Sequence, residues 1–156
     1  MAVTFTGSER PLAEEDVARA EAELGVALPP AYRRFLLEHN GGRPSPADFK
    51  ITWRGQPFSP GWRVSTVGDF HAIYDGKAVN LLVDAREYKD RLPAGVLPVA
   101  EDPGGNLIVI GTTGDALGKI FFWVHELEGD FDETDAANLG FVADDFDAFL
   151  AALFTS

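Results

Sequence analysis

The residues of this chain that could do chemistry are limited in kind: three histidines, many carboxylates and no cysteine. His39, His71 and His125 are scattered, and none stands in an HExxH or comparable spacing that would set two imidazoles on one helix face around zinc. His39 falls at the end of a helical pattern, where a cation near the last carbonyls is favoured. His71 follows Gly-Asp-Phe, and His125 ends a strand-like run. The run GDFDETD, Gly129 to Asp135, alternates Asp130, Asp132 and Thr134 as a calcium loop would. It lacks both the glycine that turns an EF-hand loop and the glutamate that closes it, so a solvated acidic loop is expected. In DPGGN, Asp102 to Asn106, the glycines precede an apolar strand and no Lys-Ser/Thr follows, which rules out a phosphate loop. No G-x-S-x-G elbow occurs. Carboxylates are too numerous for sequence neighbours to mark a glycosidase pair. Without cysteine there is no disulfide framework, thiolate metal site or thiol nucleophile. The expectation is a protein with no catalytic residues, no cofactor and no bound metal: not an enzyme.

The carboxylates speak instead to partners. Net charge is −12, and it is unevenly placed. Met1 to Arg54 holds 8 acids and 7 bases, Gly55 to Lys119 holds 8 and 6, and Ile120 to Ser156 holds 9 acids and no base. Such a surface repels nucleic acid and anionic membrane and speeds encounter with a basic protein. Glu126, Glu128, Asp130, Asp132, Glu133 and Asp135 are therefore the candidate partner-binding charges. Trp53 and Trp62, in a loop-rich stretch, are candidate anchors, since tryptophan often anchors interfaces. The N-terminus has no basic stretch followed by an apolar run, so no signal peptide is expected. The longest apolar stretches, such as Ile120 to Val124, are too short to cross a bilayer. A soluble, cytoplasmic protein is expected.

At 156 residues the chain has the length of one domain, and no repeat or long linker divides it. Ala13, Val17, Ala20 and Leu24 make one helical stripe that ends at Gly25, with Pro11 near the first turn and Glu14, Glu15 and Asp16 at the positive end of the dipole. Pro29 and Pro30 then start a second helix, whose apolar face carries Tyr32, Phe35, Leu36 and His39. Asn40, Gly41 and Gly42 are expected to close it in the left-handed conformation. Arg43 to Arg63 reads as a loop with one short strand near Phe49 to Trp53. Leu81, Ala85, Tyr88 and Leu92 have helical spacing, ended by Pro93. Strands are expected at Val96–Ala100, Asn106–Gly111 and Ile120–His125, the first two joined by a hairpin turn at EDPGGN. Phe121, Phe122 and Trp123 alternate, with Phe122 expected to point away from the core face. Phe146, Phe149, Leu150 and Leu153 form a last helix. Helices at both ends and antiparallel strands between them define an α+β fold, one domain over residues 1–156.

Three blocks, in order, resemble the SUKH superfamily. AEAELGVALPPAYRRFLLEHNGG, Ala20 to Gly42, is similar to the family's "lE..lg..LP..y..fl...NGG". VLPVAEDPGGNLIVI, Val96 to Ile110, is similar to "..pia.d..Gn.i.l", and GKIFFWVHE, Gly118 to Glu126, to "g.v.fw.he". The resemblance implies a central, mostly antiparallel sheet with flanking helices and no catalytic residues. It also implies the role held by bacterial members, immunity proteins that bind and block toxins, many of them nucleases. The alternative it implies is a non-catalytic regulatory interaction module, as in eukaryotic relatives. Leu28, Pro29, Tyr32, Gly41, Gly42, Gly105, Asn106 and Trp123 in these blocks read as structural, which leaves partner choice to the rest of the surface.

Overall fold

Helices α1 (Glu14–Leu24) and α2 (Pro30–Glu38) flank the corner read from the sequence, in a computed structural model that describes residues 3–53, 63–125 and 139–156. Ala13, the N-cap of α1, has no side-chain acceptor, so Asp16 reaches back to accept its N–H at 2.8 Å. That bond, with Arg10 and Arg19 beside it, holds the Asp16 carboxyl below its ordinary value. The helix consequently starts after Pro11 rather than around it. Gly25 ends α1 in the left-handed conformation, φ 75°. Glu21 locks the corner that follows: it accepts from the Leu28 N–H at 2.8 Å and from Arg33 Nε at 3.2 Å, and Arg33 also pairs with Glu14. Pro29 is the N-cap of α2 and Pro30 its first residue, where the missing N–H costs nothing.

Helix α2 stops at His39 with extended backbone, φ −142°, so the expected left-handed closure by Asn40 and the glycines does not occur there. These three residues form a junction instead. The buried Asn40 side chain donates to the Arg10 and Ile73 carbonyls, both at 2.9 Å, and accepts from the Ile73 N–H at 2.8 Å. Gly41 has φ 76°, and a Cβ there would lie 2.8 Å from Ala72 Cβ and 3.0 Å from the Phe70 carbonyl oxygen. Only glycine meets both demands.

The main sheet is antiparallel, in the order β5 (Asp69–Phe70), β6 (Val96–Glu101), β7 (Leu107–Gly111), β8 (Ile120–Trp123) and β9 (Leu139–Ala143). β1 (Thr4–Thr6) pairs with β2 (Arg43–Ser45), and β3 (Asp48–Lys50) with β4 (Val64–Thr66), in two small ribbons. Single bridges from Gly42 to Phe70 and from Thr52 to Phe141 cover the sheet's two edges, which removes templates for unwanted pairing. The fold class is α+β, as the sequence predicts.

The large core lies between the sheet and the helices. Ile108, Ile110, Ile120 and Phe122 face Tyr32, Phe35, Leu36, Phe146 and Phe149 there. Leu107, Val109 and Trp123 face the other way, into a smaller cluster with Leu92, Leu139, Tyr88 and Phe121. Phe122 is thus in the main core, and Phe121 and Trp123 are on the second face, the reverse of the expected assignment. The alternation itself is right; β7 and β8 are covered on both sides. Helix α3 is also shorter than its spacing predicts, Leu81–Glu87. The chain leaves it at Tyr88 and turns to lay Tyr88 and Leu92 on the second sheet face, where Tyr88 meets Trp123 edge-on at 5.8 Å. Helix α4 (Phe146–Ala152) is capped by Asp145, which accepts from the Ala148 N–H at 2.7 Å.

Candidate functional site

The proposed charged face, Glu126, Glu128, Asp130, Asp132, Glu133 and Asp135, lies outside the described residues, as does Trp62. Its attachment points are described. β8 ends at Trp123, opposite Leu139 where β9 begins, and Leu107 is opposite Trp123 in turn. Glu101 pairs with both Leu107 and Asp69. The acidic segment therefore leaves and rejoins the sheet at the end that also carries Asp69, Glu101 and Asp102. The remaining acids of the C-terminal region sit at the opposite end of β9: Asp144 and Asp145 are exposed, and Asp147 is ion-paired with Arg34. Trp53 is half-buried against the main core, its ring lying over Gly140 of β9, where a Cβ would be 3.1 Å from Cη2.

The turn between β6 and β7 explains DPGGN. Asp102 is buried and uses both oxygens: Oδ1 accepts from the Gly104 and Asn106 N–H groups at 2.9 and 2.8 Å. Oδ2 accepts from Asn106 Nδ2 at 3.0 Å and from the Ser65 hydroxyl at 3.2 Å. Asn106 Oδ1 then accepts from the His125 N–H at 3.0 Å. These bonds all serve to fix three chain segments together. Gly105, at φ 87°, supplies the turn conformation that other residues resist.

A second polar group is buried beside the main core, and sequence reasoning missed it. His71 follows β5, and its N–H donates to the Val99 carbonyl at 2.9 Å. The next residue, Ala72, donates to Val79 and accepts from Leu81, each at 2.9 Å. This stitches the chain to the start of α3. Asn80 fixes that start: its Oδ1 accepts from the Leu82 and Val83 N–H groups, and its Nδ2 donates to the Tyr74 and Gly76 carbonyls. Asp84, one turn further on, is thereby set against the imidazole, with Oδ2 2.6 Å from His71 Nε2. Glu101 comes in from the end of β6, so that one donor atom from each of the three residues lies within 4.8 Å of the others. The His71 side chain is 0% exposed and that of Asp84 13%. Despite the short separation, neither His71 ring nitrogen has a hydrogen bond of sound geometry. Burial pushes the Glu101 carboxyl above its ordinary value; Asp84, Asp69 and Asp102 push the same way, and His71 opposes them. No ligand spacing announces this group, because three different elements supply its members. The one hint is a histidine set among Phe70, Ala72 and Ile73.

The ordered helices, the sheet and the non-catalytic use of the motif residues define a class of α+β interaction proteins. The chain belongs to the SMI1/KNR4 family (SUKH-1), whose model it matches over residues 11–152, from just before α1 to the end of α4. It is similar to the SPbeta prophage-derived uncharacterized protein YokK of Bacillus subtilis (strain 168), 26% identical over 124 residues. The similarity takes in 72% of this chain and 62% of that relative, so the chain spans less than two thirds of its length. Family membership supports a protein-interaction role. Among the described residues, no helix is long and apolar enough to cross a membrane.

Proposed function

We propose that this chain is a non-catalytic immunity protein that neutralises a basic, nuclease-type toxin domain by covering it. Glu126, Glu128, Asp130, Asp132, Glu133 and Asp135 would form the charged face, with Trp53 and Trp62 as anchors. The observation that carries the reading is membership of SUKH-1 over nearly the whole chain, and the segment of nine acids without a base supplies the charge complementarity. A field of that sign raises the association rate, while buried anchors set dissociation.

The test is co-expression with a toxin domain encoded immediately upstream, followed by stopped-flow binding at two ionic strengths. Neutralising the six acids together should slow association about tenfold at low salt. The effect should fade at 1 M salt, where the Debye length is about 3 Å. Each single Asp→Asn change should alter affinity only slightly. Failure to protect cells from that toxin, or association that ignores both salt and the six substitutions, would overturn the proposal. An isolated gene, or one fused to another domain, would favour the regulatory module instead.

A further inference from the structure

We propose that His71, Asp84 and Glu101 form a binding site for one divalent transition-metal ion, with zinc as the preferred occupant. The inference departs from the metal-free protein expected from sequence spacing, and it does not depend on the immunity reading.

Three observations converge on it. The donor set is one imidazole and two carboxylates, already gathered within 4.8 Å by β5, β6 and α3. The imidazole is fully buried, its Nε2 is directed at the carboxylate of Asp84, and both ring nitrogens lack a hydrogen-bond partner. A buried polar group without a partner costs about 1–3 kcal/mol, and a metal ion would satisfy the nitrogen facing the carboxylates. The third observation is charge. Two carboxylates and a neutral imidazole carry two negative charges, which one divalent ion balances, whereas a protonated imidazole balances only one of them. Asp69 and Asp102 add to the negative potential felt by Glu101.

The chemistry narrows the ion. Imidazole with carboxylates suits zinc and its first-row neighbours, while magnesium and calcium prefer all-oxygen sites. Zinc bonds to nitrogen and oxygen are about 2.0–2.2 Å, which places tetrahedral ligand atoms about 3.3 Å apart. His71 Nε2 and Asp84 Oδ2, now 2.6 Å apart, would open by roughly 0.7 Å around the ion. Glu101 is the ligand free to adjust, since it is only half-buried. Access is from the side of the two partly exposed carboxylates, with His71 as the floor. With three protein ligands, a fourth position is left for water.

The experiment uses the full, untagged chain stripped with a chelator and then titrated with zinc sulfate. Calorimetry should show one equivalent bound, and cobalt(II) substitution should give the visible absorption of a tetrahedral site. At a hundredfold excess over Kd, the melting temperature should rise by roughly 5–10 °C. Glu101→Gln, at a half-buried position that tolerates change, should weaken binding at least tenfold and remove the cobalt spectrum. His71→Ala should abolish both, and circular dichroism establishes that it has folded. Absence of saturable one-equivalent binding would refute the site. So would zinc binding that survives unchanged in Glu101→Gln, or a melting temperature that responds to pH but not to zinc, the mark of a protonated imidazole held between two carboxylates.

Discussion

Gly25 and Gly41 offer a matched test of what the Asn-Gly-Gly junction does. Their backbones are nearly identical, φ 75° and 76°, so alanine at either position meets the same left-handed penalty, about 1–2 kcal/mol. Part of that is offset in both variants, because alanine lowers the entropy of the unfolded chain by an equivalent of about 0.4–1 kcal/mol. The surroundings differ. At Gly25 nothing lies within 4 Å of the added methyl, whereas at Gly41 it would sit 2.8 Å from Ala72 Cβ and 3.0 Å from the Phe70 carbonyl oxygen. Carbon atoms in good contact are about 3.5–4.0 Å apart, so the methyl is too close by roughly 1 Å. Ala72 cannot move aside cheaply, since it is buried and both its backbone groups are bonded to the start of α3.

Overpacking of this kind costs about 1–3 kcal/mol. Gly41→Ala should therefore lose that much more stability than Gly25→Ala, which itself should lose about 1 kcal/mol. In a chain of this length the difference appears as roughly 3–10 °C in melting temperature. The assay is thermal and urea unfolding of both variants in one buffer, followed by circular dichroism. Equal losses would show that Gly41 is only a left-handed turn residue, and that the close approach of α2 to the chain after β5 does not support the fold.

Other consequences are simpler to state. Tyr32→Ala and Phe35→Ala, at buried positions of α2, should each cost about 3–5 kcal/mol in urea unfolding. Asn40→Ala strands the Ile73 N–H and two carbonyls; it should cost at least about 2 kcal/mol, and Asn40→Asp should not restore it because the two donated bonds are lost. Asp48 accepts from the Ser156 hydroxyl and N–H at 2.6 and 2.9 Å, and these bonds, with Thr66, hold its carboxyl below the ordinary 3.8. Its contribution is thus present above about pH 3.8 and is lost as pH falls through the lower folded value. The carboxyl is largely solvated, so Asp48→Asn should flatten the acid limb of a stability–pH curve only slightly.

The parts of the fold that could be read from the sequence are those whose signals are local. Helices α1, α2 and α4 carry an apolar period, capping residues and prolines within a few positions of one another, and β6 to β8 are apolar runs bounded by glycine or proline. β1, β2, β4 and β5 were not legible, being two or three residues long and defined by partners distant in the chain. β9 lacks the turn residues that would mark it next to an acidic stretch. The junction residues show the same limit. Gly41 looks like a helix terminator until Ala72 is known to lie against it, and Glu21 looks like one more surface acid until the Leu28 N–H is found on its carboxylate. His71, Asp84 and Glu101 belong to three elements and have no pattern in common, so only the packed fold brings them together.

That contrast bears on where recognition resides. In the blocks that carry the family resemblance, the side chains with a clear task bind backbone or fill the core. Asn40 joins α2 to the chain after β5, Asp102 and Asn106 tie the β6–β7 turn to Ser65 and His125, and Tyr32 and Trp123 are fully buried. A partner cannot reach such groups without opening the fold, and changing them alters the frame before it alters affinity. Selection of one partner over another must then be made by residues outside those interlocked positions. The stretch between β8 and β9 meets that condition on two counts: its ends are fixed by strand pairing at Trp123 and Leu139, and its sequence is free of frame-building duties while carrying six of the chain's 25 acids. A rigid sheet end that presents a charged, replaceable connection lets one scaffold serve many partners, and it predicts that exchanging this connection between family members should transfer partner preference with little change in stability.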